Sequence, residues 1–178
     1  MTLSKLSKYD YNQQNLISSS PFKNVYKAKN TEDGEIYALK EIRFDTIIAN
    51  FKDTTEFTIT QDFLDKTKRE ILAKIDKYFR AINYKKNSYL IKIFEYFEEE
   101  NSIYIVSEFC EGGNLKEIID KKGGKLNERE ALEITYQIIL GLATLHDEEN
   151  RIVHKKIRFD TIYMKNNFIK IGNYGFAS

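Results

Sequence analysis

A chain of 178 residues is long enough for one domain with a proper core, and its 42% hydrophobic and 31% charged residues are ordinary for a globular protein. Lysine and arginine total 28 against 27 acidic residues, so no global charge draws the chain to nucleic acid or to an acidic membrane. One cysteine, Cys110, excludes an intrachain disulfide and fits a reducing compartment, and the two histidines beside it leave too few ligands for a structural zinc.

The opening MTLSKLSKYDYNQQ lacks the apolar centre of a signal peptide, and no window approaches the roughly 18 apolar residues of a membrane span. The expected location is cytoplasmic. Strands are expected at NLISSS and NVYKAKN, on either side of Pro21, and at EIYALKEIRF after the turn NTEDG, where Asp33-Gly34 is a hairpin signal. The stretch DTIIANFKDTTEFTIT is irregular. From about Asp62 the pattern becomes helical, with Leu64, Ile71, Leu72, Ile75 and Phe79 at three- and four-residue spacing. YLIKIFEYFEE and SIYIVSEFC read as two more strands joined at EEENS. EGGNLKEIIDKKGGKL reads as a loop, a short helix and a break.

A strong helix is expected from Glu128 to His146, with Asn127 as N-cap and Glu130 completing a capping box. Short strands follow at TIYM and FIKIG, linked by KNN. KEIRFDTII at Lys40 nearly repeats in KKIRFDTIY at Lys155, but the flanks do not match and the likeness is read as coincidence.

This order of elements resembles the eukaryotic protein kinase family, and the letters agree. IYALKEI resembles the third-strand Val-Ala-Ile-Lys, KREILAKI the helix that carries the lysine's partner, and YIVSEFCEGGNLKEII the hinge of serine/threonine kinases. The texture is closest to the NIMA-related and calmodulin-dependent groups. HKKIRFDT lies on the catalytic-loop pattern His-Arg-Asp-Leu-Lys-Pro-Glu-Asn, and IKIGNYGFAS on the Asp-Phe-Gly segment.

The resemblance implies an α+β fold, with a five-stranded antiparallel N-lobe carrying one main helix and a truncated helical C-lobe. Residues 1–8 would be an extension, 9–108 the N-lobe, and 109–178 the hinge and a partial C-lobe ending at the Asp-Phe-Gly equivalent. It also implies a vestigial nucleotide pocket: Lys40 paired with Glu70, Val25 and Ala38 against the adenine, and the hinge backbone at Glu108 and Cys110, with Ser107 as a small gatekeeper. Tyr163 stands where a leucine would support the base, and a ring there is expected to fill the space.

Several chemically necessary letters differ. The phosphate loop has Ser18, Ser20 and Lys23 at its three glycine positions and Pro21 within it, so the backbone loses its permissive residues and one N–H donor. Asn173 replaces the aspartate of Asp-Phe-Gly and Thr161 the metal-holding asparagine. Magnesium favours carboxylates, and an amide takes a full charge from beside it. Lys156 occupies the position of the catalytic aspartate, and an ammonium has no lone pair with which to accept a hydroxyl proton. Defects in cradle, metal site and base together point to an inactive pseudokinase with no catalytic or metal residues and no required cofactor. ATP held without magnesium, through Lys40, Lys156 and Arg158, stays open, as does a divergent Ser/Thr kinase.

On the helix Glu128–His146 the apolar side chains from Leu132 to Leu145 cover about 240° at 100° per residue, far more than a surface stripe. Such a helix calls for neighbours on most sides. The expectation is a protein partner covering it, as part of a large complex, or a chain that is one section of a longer polypeptide. A cytoskeletal or ciliary assembly is a natural home. Neither nucleic acid nor membrane is expected as a partner.

Overall fold

The computed structural model describes residues 4–44, 60–84 and 89–173. Most of the irregular stretch after Phe44, and residues 174–178 of the Asp-Phe-Gly-like segment, lie outside them. The described chain forms two compact units, one of residues up to Ala73 with Ile93–Phe109, the other of Lys74–Lys92 with the residues from Cys110 onward.

The first unit is an antiparallel sheet of β1 (Tyr9–Asp10), β2 (Leu16–Ser20), β3 (Lys23–Asn30), β4 (Ile36–Arg43), β5 (Ile93–Glu99) and β6 (Ser102–Glu108), in the order β1-β3-β4-β6-β5. β1 and β2 both pair with β3, β1 at Lys29–Asn30 and β2 at Lys23–Tyr26. They are two pieces of one edge strand, interrupted by the 3-10 turn Gln13–Asn15, so five strand positions are filled by six segments.

Side chains alternate across this sheet as a period of two requires. In β3, Asn24, Tyr26, Ala28 and Asn30 are buried, whereas Lys27 and Lys29 are exposed. One face gathers Tyr26, Ala28, Leu39, Phe97, Tyr104 and Val106 into a core that Tyr9 completes, with Leu6, Tyr11 and Tyr37 packed against it. Across it runs a row in register: Ser19, Asn24, Glu41, Tyr104 and Phe97. Ser19 donates to Asn24, Asn24 Nδ2 lies 3.2 Å from Glu41 Oε2, Tyr104 donates to Glu41 Oε1 at 3.3 Å, and the rings of Tyr104 and Phe97 stack. Burial, then the Glu41 charge, pushes the Tyr104 hydroxyl well above its ordinary pKa, which keeps it a donor.

Residues 4–8 belong to this face. The Leu6 N–H donates to Glu99 at 3.0 Å, the Tyr9 hydroxyl donates to Glu95 at 2.5 Å, and the Lys8 carbonyl accepts from the Thr31 N–H at 2.8 Å. Leu6 and Lys8, in the stretch expected as an extension, are thus bonded to a β5 side chain and to the residue that follows β3.

Helix α1 (Gln61–Tyr84) buries Leu64, Ile75, Tyr78, Ala81 and Ile82. Its second half groups with the second unit because the Tyr78 hydroxyl donates to the Val153 carbonyl at 3.3 Å and residues 89–91 pair with Ile171.

The second unit holds α2 (Leu115–Lys121), α3 (Glu128–His146) and the hairpin of β7 (Ile162–Lys165) and β8 (Phe168–Ile171). Asn127 accepts the Glu130 N–H at 2.9 Å and Glu130 reaches back to the Asn127 N–H, closing the capping box read from the sequence. The KNN turn places Asn166 at φ 49° and Asn167 at φ 65°, the left-handed pair of a type I′ turn, which asparagine tolerates best after glycine.

On α3 only Gly141 and Leu145 are fully buried, while Leu132, Tyr136 and Ile139 are exposed by 63%, 62% and 57%. Spaced four and three residues apart, they share one stripe that Ala143 extends. Among the described residues, no helix is long and apolar enough to cross a membrane.

Candidate functional site

Register decides which of the expected pocket residues share a face. Val25 lies opposite Lys40, and Ala38 opposite Ser107, so Val25, Ala38, Lys40 and Ser107 stand together on the face turned away from the tyrosine core. Ser18, Ser20 and Lys23 lie on that face too.

The hairpin above them is closed. Ser18, Ser19 and Ser20 pair in register with Val25, Asn24 and Lys23, and the two-residue turn Pro21–Phe22 is tied down by Arg43. The Arg43 N–H donates to the Phe22 carbonyl at 3.0 Å, and its guanidinium reaches the Pro21 carbonyl at 3.4 Å. With Ser18, Ser20 and Lys23 at the glycine positions and Pro21 lacking an N–H in the turn, this hairpin does not offer the permissive, donor-rich backbone of the family's glycine loop.

The expected Lys40–Glu70 pair is not formed among the described residues: Glu70 is exposed and takes part in none of their ion pairs. Helix rotation explains it. Residues two apart point about 200° from each other, and α1 turns Lys68 to the sheet instead. The Lys68 ammonium sits 2.6 Å from Glu98 Oε1 and 5.2 Å from the centre of the Phe44 ring. No sequence signal marks the contact.

Of the two hinge residues, Glu108 is buried opposite Tyr37 at the end of β6. Cys110 is buried and its carbonyl accepts the Gly113 N–H at 3.3 Å. Beyond it the chain pairs with β7: the Gly112 N–H donates to the Met164 carbonyl and the Met164 N–H to the Gly113 carbonyl, both at 3.0 Å. Tyr163 packs its ring against Gly172, whose missing Cβ leaves the room; a Cβ there would lie 3.2 Å from Tyr163 Cε2.

The loop from His154 to Thr161 is built around Thr161. That side chain is buried, and its hydroxyl accepts the Arg158 N–H at 3.0 Å while its one proton is shared between the carbonyls of Lys156 at 2.8 Å and Arg158 at 2.9 Å. The Thr161 carbonyl in turn accepts the Gly172 N–H. His154 is buried beside it: Nε2 donates to the Gly172 carbonyl at 2.9 Å and Nδ1 accepts the Lys156 N–H at 3.2 Å. Burial lowers the imidazole pKa, which favours this neutral form.

Asn173 follows at φ 59°, a left-handed conformation that asparagine reaches more readily than most residues. At the positions where the family holds magnesium the loop therefore presents a hydroxyl spent on three backbone groups, an amide and, beside them in sequence, an ammonium. This donor set does not fit a divalent ion that prefers carboxylates.

A curled antiparallel sheet carrying Val-x-x and Ala-x-Lys on one face, with a His-x-x loop stapled ahead of a short hairpin, defines a kinase-like module. The family model described as the protein kinase domain matches residues 11–178. Serine/threonine-protein kinase Nek1 of Mus musculus is 31% identical over 164 residues, covering 90% of this chain and 12% of the relative. Nek5 of Homo sapiens is 27% identical over 175 residues, covering 97% and 21%, and polo of Drosophila melanogaster 29% over 143 residues, covering 80% and 23%. The chain belongs to the protein kinase family, and it spans less than a quarter of the length of these relatives.

Proposed function

We propose that the chain is a catalytically inactive kinase-like module, a pseudokinase, serving as a structural or regulatory subunit of a larger protein assembly. The loop around Thr161 carries this reading. Lys156 stands at the base position, and the hydroxyl at the metal position is consumed in holding the loop's own backbone. Loss of the acid–base group alone costs about 10²–10⁴ in rate, and loss of the metal compounds it.

The test is phosphoryl transfer by the purified chain with labelled ATP and magnesium, to itself and to a generic acceptor protein. No transfer above the protein-free background is expected. Magnesium-dependent turnover that disappears in Lys40→Met would overturn the reading. That outcome would establish the second reading, a divergent Ser/Thr kinase, which is supported by the relatives' names as serine/threonine kinases. A rise in melting temperature with ATP that does not need magnesium would instead favour a nucleotide-responsive switch.

The apolar stripe of α3 supports the remaining part of the proposal, a protein partner that covers Leu132, Tyr136 and Ile139.

A further inference from the structure

The tip of the β2–β3 hairpin reads Ser18-Ser19-Ser20-Pro21-Phe22-Lys23. Leu16 to Ser19, Pro21 and Phe22 are exposed and Ser20 is half-buried. β2 is five residues long and has β3 as its sole partner strand among the described residues. As a short edge strand with one neighbour, β2 leaves its outer side open to an approaching enzyme even while the turn is held by Arg43. From Leu16 to Asn30 there is no carboxylate, yet Lys23, Lys27 and Lys29 are present. Glu41, in register with Asn24 across the sheet, is held on the opposite face by Asn24 and Tyr104.

We propose that Ser20 is a phosphorylation site for a proline-directed Ser/Thr protein kinase acting in trans, and that Lys23 holds the phosphate. An enzyme that selects proline after the acceptor serine exploits the missing N–H, and a cation three residues on is read by charge. Pro21 and Lys23 supply both to Ser20. Ser18 is followed by Ser19 with Pro21 at the third position, and Ser19 by Ser20 with Phe22, so neither neighbour offers the pattern.

In the transfer, Ser20 Oγ attacks the γ-phosphorus of ATP bound to the modifying kinase. The new O–P bond forms as the bond to the bridging oxygen breaks, ADP leaves, and the hydroxyl proton passes to that kinase's base. The product carries about −1.5 to −2 charge. Ser20 is the register partner of Lys23, so the phosphate lies beside that ammonium on the face that also bears Lys40. The hairpin becomes cross-linked by charge-assisted hydrogen bonds instead of by the weak 3.4 Å contact from Ser20 Oγ to the Lys23 carbonyl.

The experiment treats the folded chain with magnesium-ATP and a proline-directed Ser/Thr kinase, then maps phosphate by mass spectrometry. One phosphate at Ser20 is expected, with unchanged uptake in Ser18→Ala and Ser19→Ala and uptake about tenfold slower or more in Pro21→Ala. Because Lys23 belongs to the recognised sequence, its holding role is read separately, in chain with phosphoserine installed at position 20 during translation. That chain should melt about 2–4 °C higher than the unmodified one, and Lys23→Met should abolish the rise. Phosphate spread over Ser18 and Ser19, uptake only after heat unfolding, or a lower melting temperature in the phosphoserine chain would overturn the proposal.

Discussion

His154 uses both ring nitrogens, and this makes it sensitive to acid. Nε2 must donate, because the Gly172 carbonyl can only accept, and Nδ1 must accept, because the Lys156 N–H can only donate. A second proton would set Nδ1–H against that N–H. Burial holds the folded-state pKa below the ordinary value of about 6.5, so between the two values the unfolded chain binds a proton that the folded chain refuses. The stability supplied by neutral His154 is full above about pH 6.5 and is lost as pH falls below it. Melting curves should show a midpoint that is level from pH 8 to about 6.5 and declines toward pH 5, with His154→Gln starting lower and losing that part of the decline. An identical pH profile in the variant would exclude His154 as its source.

The same scale separates what the letters told from what they withheld. Lys156, Thr161 and Asn173 are assigned by position, because each falls at a fixed place in a contiguous pattern. The pair expected of Glu70 depends in addition on the rotation of α1, which no local pattern carries and which turns Lys68 toward Glu98.

At the level of elements, Gly112 and Gly113 hydrogen-bond to Met164 of β7, next to an isolated bridge between Asn114 and Tyr163. A Cβ on Gly112 would lie 2.7 Å from Met164 Cβ and 2.8 Å from the Met164 carbonyl oxygen, between two 3.0 Å backbone hydrogen bonds that fix the spacing. The chain can relieve this only by parting the pair. Gly112→Ala should destabilise by about 1–3 kcal/mol, read as a loss in urea midpoint without change in slope. A loss under about 0.5 kcal/mol would mean that the segment yields freely. Sequence periodicity gave no hint of this pairing, since two glycines carry no side-chain pattern.

Elsewhere the pattern served well. β3 alternates and β6 stays largely apolar as strands do, and the capping box marks the start of α3 at Glu128. β1 was missed because two residues, Tyr9 and Asp10, are too few to show alternation. They are a strand only because Asn30 and Lys29 are there to pair with them.

On the scale of the whole molecule, the open question is what α3 touches. Its exposed stripe contains Leu132, Tyr136 and Ile139, whereas the same helix seats Leu145 in a fully buried position. These two sets of apolar residues answer differently to substitution. Leu145→Ala empties a packed site and should cost about 2.7–5 kcal/mol. Leu132→Gln with Tyr136→Gln removes nothing that the described chain packs against, so the melting temperature of the isolated chain should stay within about 2–4 °C. If the stripe is an interface, the double variant should instead lose association: self-association of the isolated chain at micromolar concentration, seen by sedimentation, should fall, and so should binding to any partner identified by cross-linking through α3. A double variant that unfolds like Leu145→Ala would show that the stripe is packed within the chain itself. One that folds and associates as the parent does would place the partner on another surface.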